Sequence, residues 1–171
     1  MQNTVAQQMA LIGSGNDRAA LYPSMQSMAT HINTKAITTA GLLISATTTK
    51  AKIGAADFYA TVGGRLLKIA NGTDMPVLVG SVTNAKFNVY CFFVDASGTT
   101  TSLMGTEGAT LGAVKFPDFP LGKALIGFVI VNPTGTGPFV GGTTPLGDVT
   151  VVPNAVYISP IGSVDPTFLF S

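Results

Sequence analysis

Charge is what this sequence has least of. Asp, Glu, Lys and Arg together make up 10% of its 171 residues, where a soluble domain carries about a quarter. A monomer ordinarily keeps a more charged surface to stay dissolved, so the composition suits a chain that works assembled with others. The charge that remains nearly cancels, at a net +1, and the lysines are scattered singly. Binding to nucleic acid draws on clustered cations that release counterions, so no nucleic-acid partner is expected. Apolar runs are broken by Gly, Pro or Thr well short of the roughly 18 residues of a membrane-crossing helix, so no membrane partner is expected either. Met1-Gln2-Asn3-Thr4 lacks the basic start and apolar run of a secretory signal, and none is expected.

Groups that do chemistry are equally scarce. The one cysteine, Cys91, excludes an intrachain disulfide. It sits among Tyr90, Phe92 and Phe93, the setting of a buried, inert thiol. The one histidine, His31, stands far from it in sequence. Glu107 is the one glutamate, in the Gly-rich loop Gly105-Thr106-Glu107-Gly108, and Asp118 stands between two prolines. Acids dispersed over turns form turns; they do not make the positioned pair of a glycosidase. Gly13-Ser14-Gly15-Asn16-Asp17-Arg18 has the look of a phosphate loop, yet no strand precedes it and no lysine fills the motif position. Asp95-Ala96-Ser97-Gly98 offers one acid where a calcium loop needs several oxygen ligands. Asn71-Gly72-Thr73 has the form of a glycosylation sequon and reads as a turn. Neither enzyme activity nor a cofactor nor a metal is expected.

What the chain does have is β-strand chemistry. Two apolar, β-branched and aromatic runs, Phe87–Val94 and Ala124–Val131, are bounded by turn residues. The first ends in Asp95-Ala96-Ser97-Gly98; the second is entered through Pro117-Asp118-Phe119-Pro120-Leu121-Gly122, whose prolines remove two donors and fix an extended path. Phe58, Ala60 and Val62 alternate on one face, Gly63-Gly64 makes a hairpin turn, and Leu66, Leu67 and Ile69 return. Asn71-Gly72-Thr73-Asp74 is a further turn. Shorter strands are expected at Gly41–Ser45, Val77–Val82, Thr99–Met104, Ala113–Phe116, Val149–Val152 and Ala155–Ile158, with a Gly/Thr/Pro loop over Asn132–Gly147. Strands at such spacing predict an antiparallel β-sandwich or barrel with an irregular, partly helical N-terminal arm.

Three segments follow: an arm at 1–35, a β domain at 36–160 and a tail at 161–171. In the arm, Val5, Met9 and Ile12 recur at helical spacing over a short helix Thr4–Ile12. Gly13-Ser14-Gly15-Asn16 is a flexible break, and a second short helix starts at Ser24 with Met25, Met28 and Ile32 on one side. Neither helix is long enough to be stable alone. In the tail, Phe168, Leu169 and Phe170 need a surface to bury against, on a neighbouring copy, a partner or their own domain. Val5, Met9, Ile12, Phe168, Leu169 and Phe170 are the candidate assembly contacts.

The run Tyr90-Cys91-Phe92-Phe93-Val94-Asp95-Ala96-Ser97-Gly98, the Pro117–Pro120 link, Lys123-Ala124-Leu125-Ile126-Gly127-Phe128-Val129-Ile130-Val131 and Phe139-Val140-Gly141-Gly142-Thr143-Thr144-Pro145-Leu146 share a phrasing. It resembles that of small structural proteins of tailed bacteriophages, of the capsid-decoration or head-fibre kind. The resemblance covers about Asp57 to Tyr157. It implies a non-enzymatic virion protein on the outer capsid surface, with the major capsid protein and copies of itself as partners, a trimer ahead of a dimer. The same phrasing occurs in tail-fibre, baseplate and receptor-binding modules, which is the alternative reading. The family carries no catalytic residues.

Overall fold

The two longest apolar runs become the two central strands of one sheet. A computed structural model describes residues 15–164. Its elements in chain order are helix α1 (Gly15–Ile32) and strands β1 (Lys35–Ala36), β2 (Leu43–Ile44), β3 (Ala51–Lys52), β4 (Phe58–Val62), β5 (Arg65–Ile69), β6 (Ser81–Val82), β7 (Asn88–Asp95) and β8 (Thr100–Met104). A 3-10 turn at Leu111–Ala113 then precedes β9 (Lys123–Val131), β10 (Phe139–Val140) and β11 (Val156–Ile158). All pairings are antiparallel. The four-stranded sheet runs β11-β9-β7-β8, a three-stranded one runs β1-β4-β5, and β2-β3 and β6-β10 form separate pairs. The protein is thus mainly β and antiparallel, as the spacing of apolar runs predicts.

Strands β7 and β9 are buried on both faces. A fully covered strand loses the polar alternation of a half-exposed one and reads as a continuous apolar run. Side chains of a strand alternate between faces, so this sheet separates two cores. Tyr90, Phe92 and Val94 enter the larger one, with Phe58, Ala60 and Val62 of β4 and with Ile53, Met75, Leu78 and Phe139. Val89, Cys91 and Phe93 enter the smaller one, with Val114, Leu125, Phe128 and Ile130. In β9 the alternation changes parity midway. Ala124 and Ile126 face the larger core, yet beyond Gly127 it is Val129 and Val131 that do so. The cause is a β-bulge: Phe92 pairs with Gly127 and Phe93 with Leu125, leaving Ile126 as the extra residue. A one-residue slip moves side chains to the opposite face, so the bulge restores facing partners on both sides of itself. Gly127 is required there, since a Cβ would stand 2.5 Å from the carbonyl oxygen of Ile158.

Two hairpins follow their turn residues. Val62 pairs with Arg65, so Gly63-Gly64 forms the whole connection, with φ of +57° and +83°. Positive φ at both central residues defines the turn whose twist matches the strands it joins. Between β7 and β8, Oδ1 of Asp95 accepts hydrogen bonds from the amides of Ser97 and Thr99, and Gly98 takes φ +86°.

Other segments depart from the sequence pattern. Val77–Val82 keeps its alternation, with Leu78 buried and Val77 and Val79 exposed, but only Ser81–Val82 pairs as strand. Pro76 removes a donor, and Gly80 turns the chain with φ +100°. Of Gly41–Ser45 only Leu43–Ile44 is strand, after a turn at Gly41 with φ +53°. Ala113–Phe116 contributes an isolated bridge from Lys115 to Thr106. Val149–Val152 is a turn rather than a strand: Asp148 accepts from the Thr150 amide through Oδ1, and its carbonyl accepts from Val151 and Val152. The Asn132–Gly147 loop holds β10 and sends Phe139 and Leu146 into the larger core.

The arm differs too. Gly15-Asn16 lies inside α1, which passes through Pro23 without a new start at Ser24. Good helix formers on both sides, Arg18-Ala19-Ala20-Leu21 and Met25-Gln26, favour one continuous helix over a break. The helix Thr4–Ile12 lies outside the described residues, as do Val5, Met9, Ile12, Phe168, Leu169 and Phe170.

Candidate assembly surface

Few titratable groups are placed for chemistry. Cys91 lies on β7 with no exposed surface, and burial pushes its thiol far above the ordinary range. A thiol so placed has essentially no thiolate at neutral pH. His31 is on α1, remote in sequence from Cys91. Glu107 ties two segments together: its carboxylate accepts from the amide and hydroxyl of Thr83, each at 2.9 Å, and the Thr83 amide is the main cause of its lowered pKa. Asp118 is exposed in the extended link between β8 and β9. Asp57 pairs with Lys68 at 2.6 Å, the one ion pair among the described residues. Asp95 and Asp148 each hold their own turn. Asn71 also serves a turn, its amide bonding Asp57 and its side chain the carbonyl of Ala55. Among the described residues no three His, Cys, Asp or Glu side chains gather as a metal site would require. No described helix is long and apolar enough to cross a membrane.

Apolar surface is the more notable property. On α1, Tyr22, Met25, Met28 and Ile32 are all exposed, Met28 by 64% and Ile32 by 62%. Met25, Met28 and Ile32 follow helical spacing and form one side, as their positions in the sequence predict. None of these side chains belongs to either core. A surface helix normally turns its apolar stripe inward; this one leaves it uncovered by the described domain.

The end of α1 adjoins a groove of about 500 Å³. Ile32, Phe119, Pro120, Leu125 and Val164 give it apolar walls, while Lys35 and Lys123 add two cations. It lies at the margin of the smaller core, to which Leu125 belongs and against which Phe119 and Val164 are half-buried. Phe119 meets Phe93 edge-on at 5.1 Å, and Phe116 meets Phe128 in the same way at 5.1 Å. Leu121 and Ile161, next in the chain to groove residues, are 61% and 62% exposed. The Met25–Met28–Ile32 side was legible from spacing. The groove was not, because its walls come from three segments distant in sequence, and only long-range pairing such as Gly162 to Ala36 brings them together.

No protein-family model, curated protein or solved structure matches this chain.

Proposed function

We propose that this chain is a non-enzymatic structural protein of a tailed-phage virion that binds the outer surface of the assembled capsid and stabilises it. The observation that carries the reading is the uncovered apolar side of α1, held outside a β domain whose two cores are complete without it. An 18-residue helix that contains Pro23, and so lacks one backbone donor, gains little from its own hydrogen bonds in water. It becomes stable when its apolar side is buried, at roughly 25 cal/mol per Å² before ordering costs. A capsid lattice supplies such a surface in many copies, and the near absence of charge reduces repulsion between neighbours. The major capsid protein and copies of the chain itself are the partners, with a trimer at a threefold position ahead of a dimer across a twofold seam; the phrasing shared with decoration proteins supports the same reading.

Electron microscopy of the virion, with this chain labelled at an exposed turn such as Ser97-Gly98, is the test. Label distributed over the capsid surface is expected. Label confined to the tail tip or fibres would replace decoration with the receptor-binding reading.

A further inference from the structure

A strand at the margin of a sheet leaves every second amide and carbonyl without a partner. Strand β5 is such a margin in the sheet β1-β4-β5. Its neighbour β4 decides which of its groups face outward. The Tyr59 carbonyl of β4 accepts the Ile37 amide on the β1 side, so Tyr59 and Thr61 address β1, while Phe58, Ala60 and Val62 address β5. Their partners there are Ile69, Leu67 and Arg65. Leu66 and Lys68 therefore turn their amides and carbonyls away from the sheet, and no described group bonds them. Leu66 is 62% exposed, and the exposed Lys68 is held by Asp57 at 2.6 Å. Two other margins are occupied. The Gly162 amide bonds the outer side of β1 at the Ala36 carbonyl. Beside β8, the Ser102 hydroxyl donates to the Val77 carbonyl at 3.0 Å, and a Cβ on Gly80 would collide with Met104.

An open edge binds another extended strand, and this edge fits a copy of itself. We propose that β5 pairs antiparallel with β5 of a second copy about a twofold axis through Leu67, joining the two β1-β4-β5 sheets into one. With the axis at Leu67, Leu66 of each copy lies opposite Lys68 of the other. Each such pair exchanges both of its backbone bonds, so every outward amide and carbonyl of Leu66 and Lys68 is satisfied at once. The register also sorts the side chains. Leu66 lies along the stem of a lysine whose charge Asp57 already balances. Leu67, half-buried against the larger core, meets Leu67 of the second copy, a cross-strand contact of the kind that stabilises sheets. Moving the axis to Lys68 sets lysine against lysine, and only the Leu67 axis overlaps all of Arg65–Ile69. An edge of 5 residues buries less than the roughly 1,000 Å² of a stable interface, so the dimer is weak and forms as concentration rises. The inference does not rest on the virion reading, and it leaves the apolar side of α1 free for other molecules.

Amide hydrogen exchange of the full chain, read by NMR over a wide range of protein concentration with sedimentation in parallel, is the test. The Leu66 and Lys68 amides are expected to exchange freely in the monomer and to slow as dimer forms. The Arg65 and Leu67 amides, directed at β4, are expected to be slow throughout. Two substitutions at the exposed Leu66 probe the register. Leu66→Glu sets a carboxylate opposite Lys68 of the second copy, Leu66→Lys sets a like charge there, and both remove the same leucine. The glutamate variant is expected to dimerise at least several-fold more tightly than the lysine variant at low salt. Equal affinities of the two variants overturn the inference. So does a chain that stays monomeric at the highest concentration reached, and so does an oligomer whose Leu66 and Lys68 amides still exchange freely. Protection of both amides in the monomer overturns it too, since another part of the same chain would then cover the edge. The exchange measurement uses the unsubstituted chain, so it decides the matter even where a variant misfolds.

Discussion

At the scale of single residues, backbone geometry accounts for more of this fold than side-chain chemistry does. Gly63 and Gly64 leave open space where a Cβ would be, so the demand for glycine there comes from φ alone. An L-residue held in the left-handed region costs about 1–2 kcal/mol. Gly64→Ala is therefore expected to lower unfolding free energy by that amount in urea titration, with an unchanged m-value; a cost near zero would show that the turn re-forms in another geometry. Burial has a different effect at Tyr90 and Cys91, whose ionisation it suppresses by pushing both groups well above their ordinary ranges. The same holds to a lesser degree at Tyr157, where burial takes the phenol to about 12. These side chains are core first, and proton transfer near neutral pH is not open to them.

At the scale of elements, the strand most readable in the sequence is also the one with a hidden irregularity. The apolar run Lys123–Val131 identifies β9, yet a run buried on both faces has no polar residues to mark which face each side chain takes. The bulge at Ile126 is for that reason invisible until the register with β7 is known. Deleting Ile126 removes the extra residue and forces one half of β9 to present the wrong face to each core. Loss of cooperative folding is expected, by thermal scanning of the purified variant or by its failure to appear in the soluble fraction. Inserting one glycine after Gly98, in an exposed turn, should leave the fold intact and serves as the control. A deletion variant with native-like melting would mean that β9 can re-register cheaply. The hairpins at Gly63-Gly64 and Asp95–Gly98 were legible because their signals are local. Val149–Val152 misled because a β-branched run says nothing about its partner, and here Asp148 captures the nearby donors before any strand can.

At the scale of the whole molecule, four carboxylates make their contacts in the ionised form, Asp95 and Asp148 within their own turns and Asp57 and Glu107 to other segments. Asp57 is held below its ordinary range chiefly by Lys68, Asp95 by the Ser97 hydroxyl, Glu107 by the Thr83 amide and Asp148 by the Thr150 hydroxyl. A carboxyl whose folded pKa is depressed contributes stability above its unfolded pKa and loses it as pH falls through the folded value. The ordinary values are 3.8 for Asp and 4.5 for Glu. Melting temperature is thus expected to be flat from neutral pH to about pH 5 and then to fall with acidification. Asp148→Asn should make the acid-side drop smaller, and a melting temperature constant down to pH 3 would refute the assignment. The arm offers a separate test. Thr34 accepts the Gly63 amide through its hydroxyl and Asn33 accepts the Gly64 amide through its carbonyl, so the chain is tied to the domain from Asn33 onward. Lys35, at the end of the expected arm, is the first residue of β1. Removing residues 1–32 is expected to leave the melting transition of the β domain within a few degrees of the full chain; the proposed function further requires that the truncation reduce binding to capsids or self-association. An insoluble truncated protein would make α1 part of the fold.

The bridge between Ala36 and Gly162, whose amide bonds the Ala36 carbonyl at 2.8 Å, brings the first strand and the end of the described domain side by side. Chain entry and chain exit then share one doorway, and the polypeptide between them is a nearly closed ring. Such a ring can be cut elsewhere and resealed at the doorway. A permuted chain opened between Ser97 and Gly98, with residues 33 and 163 joined by a short Gly/Ser linker, should fold to the same two cores. By the same geometry the domain could be spliced into a surface loop of an unrelated protein, since its host would need to part by no more than the width of two neighbouring strands, about 5 Å.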